Sequence, residues 1–522
     1  MAILLIMNQA TISFIFILLI FLPLIGVPIV MALQKESGKY ISLGVALISL
    51  VLSMLLYANY DSAISQETGY AFMQSIDWIQ TSEFNIKFRI GLDGISVYLF
   101  LLSVIMFPIL VLYSWNKVEK QEKTFYSMLL MVQTGILGFF VSLDLLLFYV
   151  FFELVLIPAY FFIGVWGGEK KEEGALRFFL YTLAGSLLML VAIMYMGIEA
   201  GNGVFVTDYF QIMNTDFGPS AEIWLFLAFM VAFSIKVPLF PLHTWQPITY
   251  SQAPITATII LSAILSKMGT YGILRFAVGM FPETAVSLAS IVSILALISI
   301  IYGAIMAIVQ TDLRKLIAYS SISHLGFIVL GIFSFSKLAL SGAVLHMVGH
   351  GLSTAAMFML AGILYDRYGT YEIDKFSGVA KTLPRMAVLF LITLLASVGL
   401  PGLSGFIGEF MILVGSYDST VIAGTFSVIA AFSVILAAVY LLNMFRKIMF
   451  GASREGSSTK DLSQAETWVL IPLVIGMFWI GLNATSYLER INPDTDTFLE
   501  KLEEKMGQLE GQKASYLSEV DR

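Results

Sequence analysis

Apolar runs of about 20 residues recur along the whole chain and are separated by short polar segments. A run of this length is what an α-helix needs to cross the hydrocarbon core of a bilayer. The pattern therefore predicts an all-α polytopic membrane protein with about 14 transmembrane helices. The predicted spans are residues 11–32, 40–58, 93–115, 125–142, 145–166, 175–200, 221–243, 255–279, 286–309, 315–334, 339–365, 386–414, 420–445 and 466–487.

Two stretches do not follow the transmembrane pattern. Residues 70–92 alternate polar with β-branched and aromatic residues, which predicts a small β-hairpin on the outer face of the membrane. The tail from Leu488 is charged, and its pattern around Thr497–Leu509 predicts an amphipathic helix, solvated at the membrane surface.

Positive charges in the short loops predict the orientation of the chain. One set of alternate loops carries most of the loop lysines and arginines, whereas the opposite set carries only Lys87, Arg89 and Lys337 between helices. The positive-inside rule then places both termini on the outer side, which is the periplasmic side of a bacterial inner membrane.

Composition narrows the chemistry. The chain is 58% hydrophobic and only 12% charged, about half the charged fraction of a soluble domain. It has no cysteine, which excludes disulfides and cysteine-ligated zinc or iron–sulfur sites, and it has only four histidines. Neither a dinucleotide-binding glycine motif nor a phosphate-binding loop occurs. We therefore expect this chain to bind no cofactor, no metal and no nucleic acid.

Four ionisable residues, Glu153, Lys236, Lys267 and Glu409, lie inside predicted spans with apolar residues on both sides. A charge at the centre of a bilayer costs at least about 3 kcal/mol, so each one needs a partner, water or a function. Desolvation disfavours the charged form of both residue types, which enables such groups to gain and release protons. We interpret them as a proton-translocation path, in which Glu153 and Lys236 form an ion pair whose separation would release a proton. The alternative is a set of buried ion pairs that only fixes helix packing, although Lys267 has no equally obvious partner.

Helix-breaking residues accompany two of these charges. Pro238 and Pro241 follow Lys236, and the segment GLPGLSG, which contains Pro401, precedes Glu409. Proline removes a helix hydrogen bond, and irregular backbone at membrane depth occurs only where it is buried in protein or lines a hydrated cavity. Paired interruptions in two halves of a chain predict inverted repeats with an ion path at their interface.

The layout divides the chain into four segments. Residues 1–124 contain the N-terminal transmembrane helices and the hairpin, and residues 446–522 contain the last transmembrane helix and the amphipathic tail. Between them, residues 125–279 and 286–445 form two five-helix repeats, each with one broken helix. The assignment rests on layout, because the two repeats share little residue identity.

The four histidines, His243, His324, His346 and His350, fall in or at the ends of predicted spans. In a hydrated row an imidazole can relay a proton, although a hydrogen bond to a helix carbonyl explains any one of them equally well. His346 and His350 are four residues apart and could ligate a metal, but no carboxylate or cysteine is beside them in the sequence to complete a site. Arg275 is near a helix end, so we expect a structural role with its charged head at the membrane interface.

Several motifs together are similar to those of one family. The segments KVPLFPLHTWQPITYSQAP, LSAILSKMGTYGILRF, QTDLRKLIAYSSISHLGF, HGLSTAAMFMLAGILYDRYGT and LASVGLPGLSGFIGEFMILVG follow in order within residues 98–450. They resemble the proton-translocating, antiporter-like membrane subunits of respiratory complex I. L-type, N-type and Mrp antiporter subunits usually carry lysine in the last segment, whereas M-type subunits carry glutamate, which is Glu409 here. FFELVLIPAYFFIG around Glu153 also resembles the M-type.

The resemblance implies roles at matching positions. It implies that Glu153 and Lys236 are the coupling pair and that Lys267 is the central lysine. It also implies that Glu409 is the terminal proton site and that His324 and His350 are relays. Tyr250 and Ile248 depart from the family, which commonly has histidine and aspartate there, and this puts a proton-entry role of that loop in doubt. His346 is at a position where a residue that cannot ionise is expected.

The resemblance also implies partners and cofactors. L-type and N-type membrane subunits and the lipid bilayer would surround the chain, and NADH, FMN, iron–sulfur clusters and quinone would belong to partner subunits. The chain would then be a non-redox subunit of an H⁺-translocating NADH:quinone oxidoreductase. The alternatives are an Mrp-type Na⁺/H⁺ antiporter subunit, an antiporter-like subunit of a membrane-bound hydrogenase, and a structural membrane scaffold with buried ion pairs.

Overall fold

The computed structural model describes residues 9–34, 36–61, 69–452 and 460–520. Within these ranges thirteen helices are long and apolar enough to cross a membrane, which confirms thirteen of the predicted spans. Their bounds are Gln9–Ala32, Ser37–Ala58, Val97–Ser114, Glu122–Val141, Leu145–Trp166, Lys171–Ala200, Pro219–Lys236, Ile255–Val278, Ala289–Ile308, Leu313–Phe333, Lys337–Tyr368, Gly424–Met449 and Gln464–Leu482. The remaining span consists of two shorter apolar helices, Pro384–Val398 and Ser404–Tyr417.

The first predicted interruption lies directly after Lys236. The helix Pro219–Lys236 stops there because Pro238 has no backbone N–H with which to continue it. A turn then carries the chain to the short helix Trp245–Gln252. The predicted span 221–243 is therefore a helix followed by a turn.

The second interruption separates Pro384–Val398 from Ser404–Tyr417, although hydropathy predicts one span over residues 386–414. Gly399 and Gly402 have φ values of +86° and +91°, a region that side chains other than glycine rarely adopt. These two residues redirect the chain within the membrane. The inverted relation between the two five-helix repeats stays a prediction.

One span predicted as a continuous helix is divided in the structure. It consists of Leu145–Leu154 and Leu156–Trp166, which meet at Val155. Pro158 explains the joint, because its ring crowds the carbonyl of Leu154 four residues earlier and its nitrogen cannot donate to that carbonyl.

The helix that carries Lys267 is not regular. It begins as an α-helix at Ile255–Ile259 and is α-helical again at Ser266–Gly272, but Ile260–Leu265 and Ile273–Val278 are π-helical. π-Helical turns are rare, and they occur frequently at functional sites. The sequence does not predict them, because the same apolar residues fill both kinds of turn.

The predicted hairpin over residues 70–92 is present. Strands Ala71–Gln80 and Phe84–Leu92 pair antiparallel, and a third short strand, Phe205–Val206, pairs parallel with the second. Short helices occupy connecting segments at Tyr209–Met213, Pro282–Ser287, Ile373–Lys375 and Val379–Thr382.

Burial distinguishes central from peripheral helices. Ile255–Val278, Leu313–Phe333 and Lys337–Tyr368 are almost wholly enclosed by protein. Peripheral helices such as Lys171–Ala200 expose apolar side chains, including Val191 at 68%. An apolar exterior around an enclosed centre is what a lipid solvent requires.

The C-terminal helix Thr485–Val520 is packed against the protein. Phe498 and Leu502 on one face are buried. Lys505 donates two hydrogen bonds of 2.8 Å to backbone carbonyls of connecting segments, and burial lowers the pKa of its ammonium. The predicted helix is thus confirmed, but the expectation that it is solvated is wrong for this face, because its apolar side chains find a protein surface.

Arg275 is enclosed by protein rather than exposed at a surface. It is 4% exposed and forms a buried ion pair with Asp93, which follows the second hairpin strand. Its guanidinium also lies 5.3 Å from the ring centre of Tyr70 and 5.6 Å from that of Tyr271. The guanidinium therefore finds its counter-charge, Asp93, inside the protein rather than in water, and these contacts fit the expected structural role.

The ion pair makes a prediction about stability. Asp93→Asn leaves Arg275 buried without a counter-charge, so we expect the free energy of unfolding to fall by about 3–5 kcal/mol. Thermal unfolding of the full chain in detergent measures the loss. The control is Glu173→Gln, in the exposed pair with Arg177, which should change stability by less than about 1 kcal/mol. Equal melting temperatures for the two variants would contradict the structural role of the buried pair.

Candidate functional site

Lys267 is fully buried and hydrogen-bonded through three contacts. Its Nζ donates to the carbonyl oxygen of Ser262 at 2.8 Å and to Ser266 Oγ at 3.3 Å, both on its own helix. The third contact, at 2.8 Å, is to Nδ1 of His350 on the helix Lys337–Tyr368. The partner that the sequence did not reveal is therefore a histidine, brought to Lys267 by packing of two enclosed helices.

The charges of Lys267 and Glu409 determine where two histidines of the site carry their protons. When Lys267 is an ammonium it can only donate, so Nδ1 of His350 then accepts from it and the proton of the neutral ring lies on Nε2. His324 Nδ1 lies 2.7 Å from Oε1 of Glu409. When Glu409 is ionised its carboxylate can only accept, so His324 then carries its proton on Nδ1 and a neutral ring has a free lone pair on Nε2.

These four residues form a row with one direction. The rings of His350 and His324 have centroids 5.4 Å apart, and neither Nε2 has a hydrogen-bond partner among the described residues. The free N–H of His350 and the free lone pair of His324 are complementary, so a water molecule between them would complete a connection. Each donor then points from Lys267 toward Glu409. We call these four residues the proton row.

His346 is a third imidazole beside Glu409. Its Nε2 lies 3.6 Å from Oε1 of Glu409, and its ring centre is 5.8 Å from that of His324. Within the described ranges neither of its ring nitrogens has a hydrogen-bond partner. The sequence argument against a metal site was the lack of a neighbouring carboxylate, and that premise is wrong, because folding places Glu409 there.

Close packing at Gly408 brings Glu409 to the histidines. A Cβ atom on Gly408 would lie 2.6 Å from Cβ of His346, closer than real side chains approach each other. The helix Ser404–Tyr417 can therefore touch Lys337–Tyr368 at this point only because Gly408 has no side chain. In the sequence, a glycine next to an intramembrane acid indicates close helix packing, but it does not show which helix is the partner.

Lys236 and Glu153 are not in direct contact, which corrects the predicted ion pair. Lys236 is 3% exposed, and its Nζ lacks a hydrogen-bond partner in the part of the chain that is described. The ammonium instead lies 4.5 Å from the ring centre of Phe152, a cation–π distance, while Glu153 is half-buried and still within electrostatic range. A Cβ on Gly269 would lie 3.0 Å from Lys236, so the helix of Lys267 packs here.

His243 and Tyr250 lie apart from the proton row. His243 is buried, with its ring centre 5.5 Å from that of Phe240 and 5.1 Å from that of Tyr302. Tyr250 is fully buried, and its hydroxyl finds no hydrogen-bond partner in the described ranges. Ile248 on the same short helix has no polar side-chain atom. Neither position is hydrogen-bonded to the row.

Comparisons with known proteins identify the family. The family model of the NADH:quinone oxidoreductase/Mrp antiporter transmembrane region matches residues 142–437. NADH-ubiquinone oxidoreductase chain 4 of Marchantia polymorpha is 37% identical, over 90% of this chain and 94% of its own length. NADH-quinone oxidoreductase subunit M of Rhodobacter capsulatus is 35% identical, over 94% of this chain and 97% of its own.

A solved structure agrees with the sequence relatives. A chain of respiratory complex I from Thermus thermophilus with bound NADH superposes with a TM-score of 0.84 at 32% identity. The match covers 93% of this chain and 99% of that one. The predicted resemblance is thus confirmed, and the chain belongs to the NADH:quinone oxidoreductase/Mrp antiporter family of membrane subunits, beside the relatives named subunit M or chain 4.

Proposed function

We propose that this chain is a proton-translocating membrane subunit of an NADH:quinone oxidoreductase. The observation that carries the proposal is the proton row, in which Lys267, His350 and His324 are positioned to donate in one direction and Glu409 is the final acceptor. Packing alone gives no reason for an enclosed lysine to hydrogen-bond to an imidazole, or for a second imidazole to hydrogen-bond to a carboxylate. A proton path requires that order.

Transfer along the row takes three steps. Lys267 gives a proton to Nδ1 of His350, and His350 releases its Nε2 proton through a water molecule to Nε2 of His324. His324 then gives its Nδ1 proton to the Glu409 carboxylate. Lys267 and Glu409 end neutral, and each ring has moved its proton to the other nitrogen. The rings must recover their tautomers before the next transfer, so the row passes one proton per cycle.

Lys236 and Glu153 would act as the input to this row. Lys236 holds its charge against an aromatic face rather than a carboxylate, so it has no hydrogen-bond acceptor to stabilise its proton. Approach of Glu153 would stabilise that charge, and withdrawal would favour proton release. Because Gly269 packs against Cβ of Lys236, the helix of Lys267 lies next to Lys236, and a change of charge at Lys236 would be transmitted to that helix. We therefore retain the coupling role for Glu153 and Lys236.

The surroundings of Glu153 support a neighbouring subunit. This carboxylate is half-buried, and Val150 and Ile157 beside it in the sequence are 43% and 53% exposed. Lipid against such a carboxylate would be costly, whereas a protein partner can hydrogen-bond it. We propose an L-type or N-type subunit as this partner.

The rest of the assignment follows from this role. Electron transfer would occur in other subunits, which would hold NADH, FMN, iron–sulfur clusters and quinone, and this chain would contribute no redox step. We place the complex in a bacterial inner membrane with both termini of this chain outside. The terminal residues 1–8 and 521–522 lie outside the described ranges.

The antiporter alternative is the strongest competitor, because the matching family also includes Mrp antiporter subunits. Purification of the chain from native membranes by an affinity tag separates the two. We expect quinone-oxidoreductase subunits to co-purify and NADH oxidation to drive proton movement without sodium. Proton movement that needs a sodium gradient and does not depend on NADH would contradict the proposal. Co-purifying hydrogenase subunits would instead support the hydrogenase alternative.

Replacement of the lysines tests the proton path. Lys267→Met and Lys236→Met keep the apolar stem but cannot carry a proton, so we expect the rate of NADH-driven proton pumping in vesicles to fall about tenfold or more. The matched control is Lys337→Met, a surface lysine paired with Glu500, which should pump normally. A normal proton-to-electron ratio in Lys267→Met, with assembly intact, would favour the scaffold alternative.

Gly408 tests the helix contact that holds Glu409. Gly408→Ala would force the two helices apart, lengthen the contacts from Glu409 to His324 and His346, and lower stability by about 1–3 kcal/mol. Pumping should fall with it. The control is Gly44→Ala, because Gly44 has open space beside it in a helix, and we expect unchanged or higher stability. Full pumping by Gly408→Ala would show that the row tolerates a wider separation.

A further inference from the structure

We propose that His324, His346 and Glu409 form a binding site for a divalent transition-metal ion of the Zn²⁺ class, and that occupation of this site blocks the proton row. The blocking effect rests on the proposed function, whereas the binding does not. The key residue is His346, which the proton row does not use.

The three ligand atoms are already close together. One atom from each residue lies within 4.8 Å of the other two. His324 Nδ1 is 2.7 Å and His346 Nε2 is 3.6 Å from Oε1 of Glu409. Ligands bonded to tetrahedral Zn²⁺ at about 2.0–2.1 Å lie roughly 3.3 Å from each other. These two separations bracket that value and need changes well below about 1 Å, whereas the separation of the two histidine nitrogens is at most 4.8 Å and would shorten by up to about 1.5 Å.

The donor set suits this class of metal. Two imidazole nitrogens and one carboxylate oxygen favour Zn²⁺ over Mg²⁺, which prefers oxygen ligands and retains water. Both nitrogens of His346 are without a hydrogen-bond partner in the described residues, so a metal would displace no existing hydrogen bond of that ring. A water molecule can occupy the fourth position.

The metal and the proton would compete for the same atoms. To bind, His324 must turn its Nδ1 lone pair toward the ion, which removes the N–H that it donates to Glu409. Glu409 would give its negative charge to the ion rather than accept a proton. The last step of the row is then unavailable, although Lys267 and His350 remain hydrogen-bonded to each other.

Metal binding by the full chain in detergent tests the site without reference to pumping. Equilibrium dialysis against ZnCl₂ should give one saturable Zn²⁺ per chain, and Co²⁺ in its place should show visible d–d absorption typical of a tetrahedral site. His346→Asn removes one ligand and should weaken binding about tenfold or more. The matched control is His243→Asn, which removes a buried histidine away from the cluster and should bind as the original chain does.

Two measurements guard against a variant that does not fold. Zn²⁺ should raise the melting temperature of the original chain, since a ligand that binds only the folded state stabilises it. His346→Gln, which keeps a polar side chain of similar length, should melt normally without Zn²⁺ and gain nothing from it. No saturable binding and no stabilisation in the original chain would overturn the site, as would equal binding by His346→Asn and His243→Asn.

The effect on pumping is measured on the whole complex in membrane vesicles. Zn²⁺ should inhibit NADH-driven proton pumping, and His346→Asn should need about tenfold more Zn²⁺ for the same fractional inhibition, each variant compared with its own zinc-free rate. Mg²⁺ at equal concentration should have no such effect. Undiminished pumping with the site filled would overturn the block. A complex that fails to pump without zinc would instead contradict the proposed function, and the dialysis result would still decide the site.

Discussion

Lipid offers no hydrogen-bond partners, and this constraint orders the whole structure. The chain therefore confines the proton row to its interior. Lys267, His324 and His350 lie on the three helices that are almost wholly enclosed. The other spans complete the enclosure and carry the apolar exterior. A relay group on a peripheral helix would have to face lipid or a partner, and Glu153, which is only half-buried, is the group where a partner is proposed.

Irregular backbone occurs next to each of the four intramembrane charges. Lys236 ends a helix, Glu153 precedes the joint at Val155, Glu409 follows two glycine turns, and Lys267 follows a π-helical turn. The breaks have different causes, since two come from proline and one from glycine. Their shared consequence is that a polar side chain meets backbone groups or a neighbouring helix that a regular α-helix would not offer.

The sequence predicts those features that a short segment determines by itself. Hydropathy places the spans, proline and glycine place the two interruptions, and an isolated charge among apolar residues is visible without any knowledge of the fold. Even the division at Val155 can be explained by Pro158. The π-helical turns have no such signal, because apolar residues fill them as readily as they fill α-helical turns.

The partners of the charges could not be predicted, because they depend on how helices pack. The apparent pairing of Glu153 with Lys236 satisfied the sign of the charges, yet the ammonium faces Phe152 instead. Lys267 and Glu409 reach histidines that are far away in the sequence. Sequence order alone gives no distance between spans, so it could rank these residues as important but could not connect them.

The residue at position 409 decides what the end of the row can do. Glutamate accepts the hydrogen bond of His324, while a lysine there could only donate. A lysine would require His324 to reverse its tautomer, and the donors of the row would then meet head to head rather than run in one direction. The same carboxylate is what turns two adjacent imidazoles into a set of metal ligands. Acceptance of a proton and affinity for a metal ion are thus two consequences of one side chain.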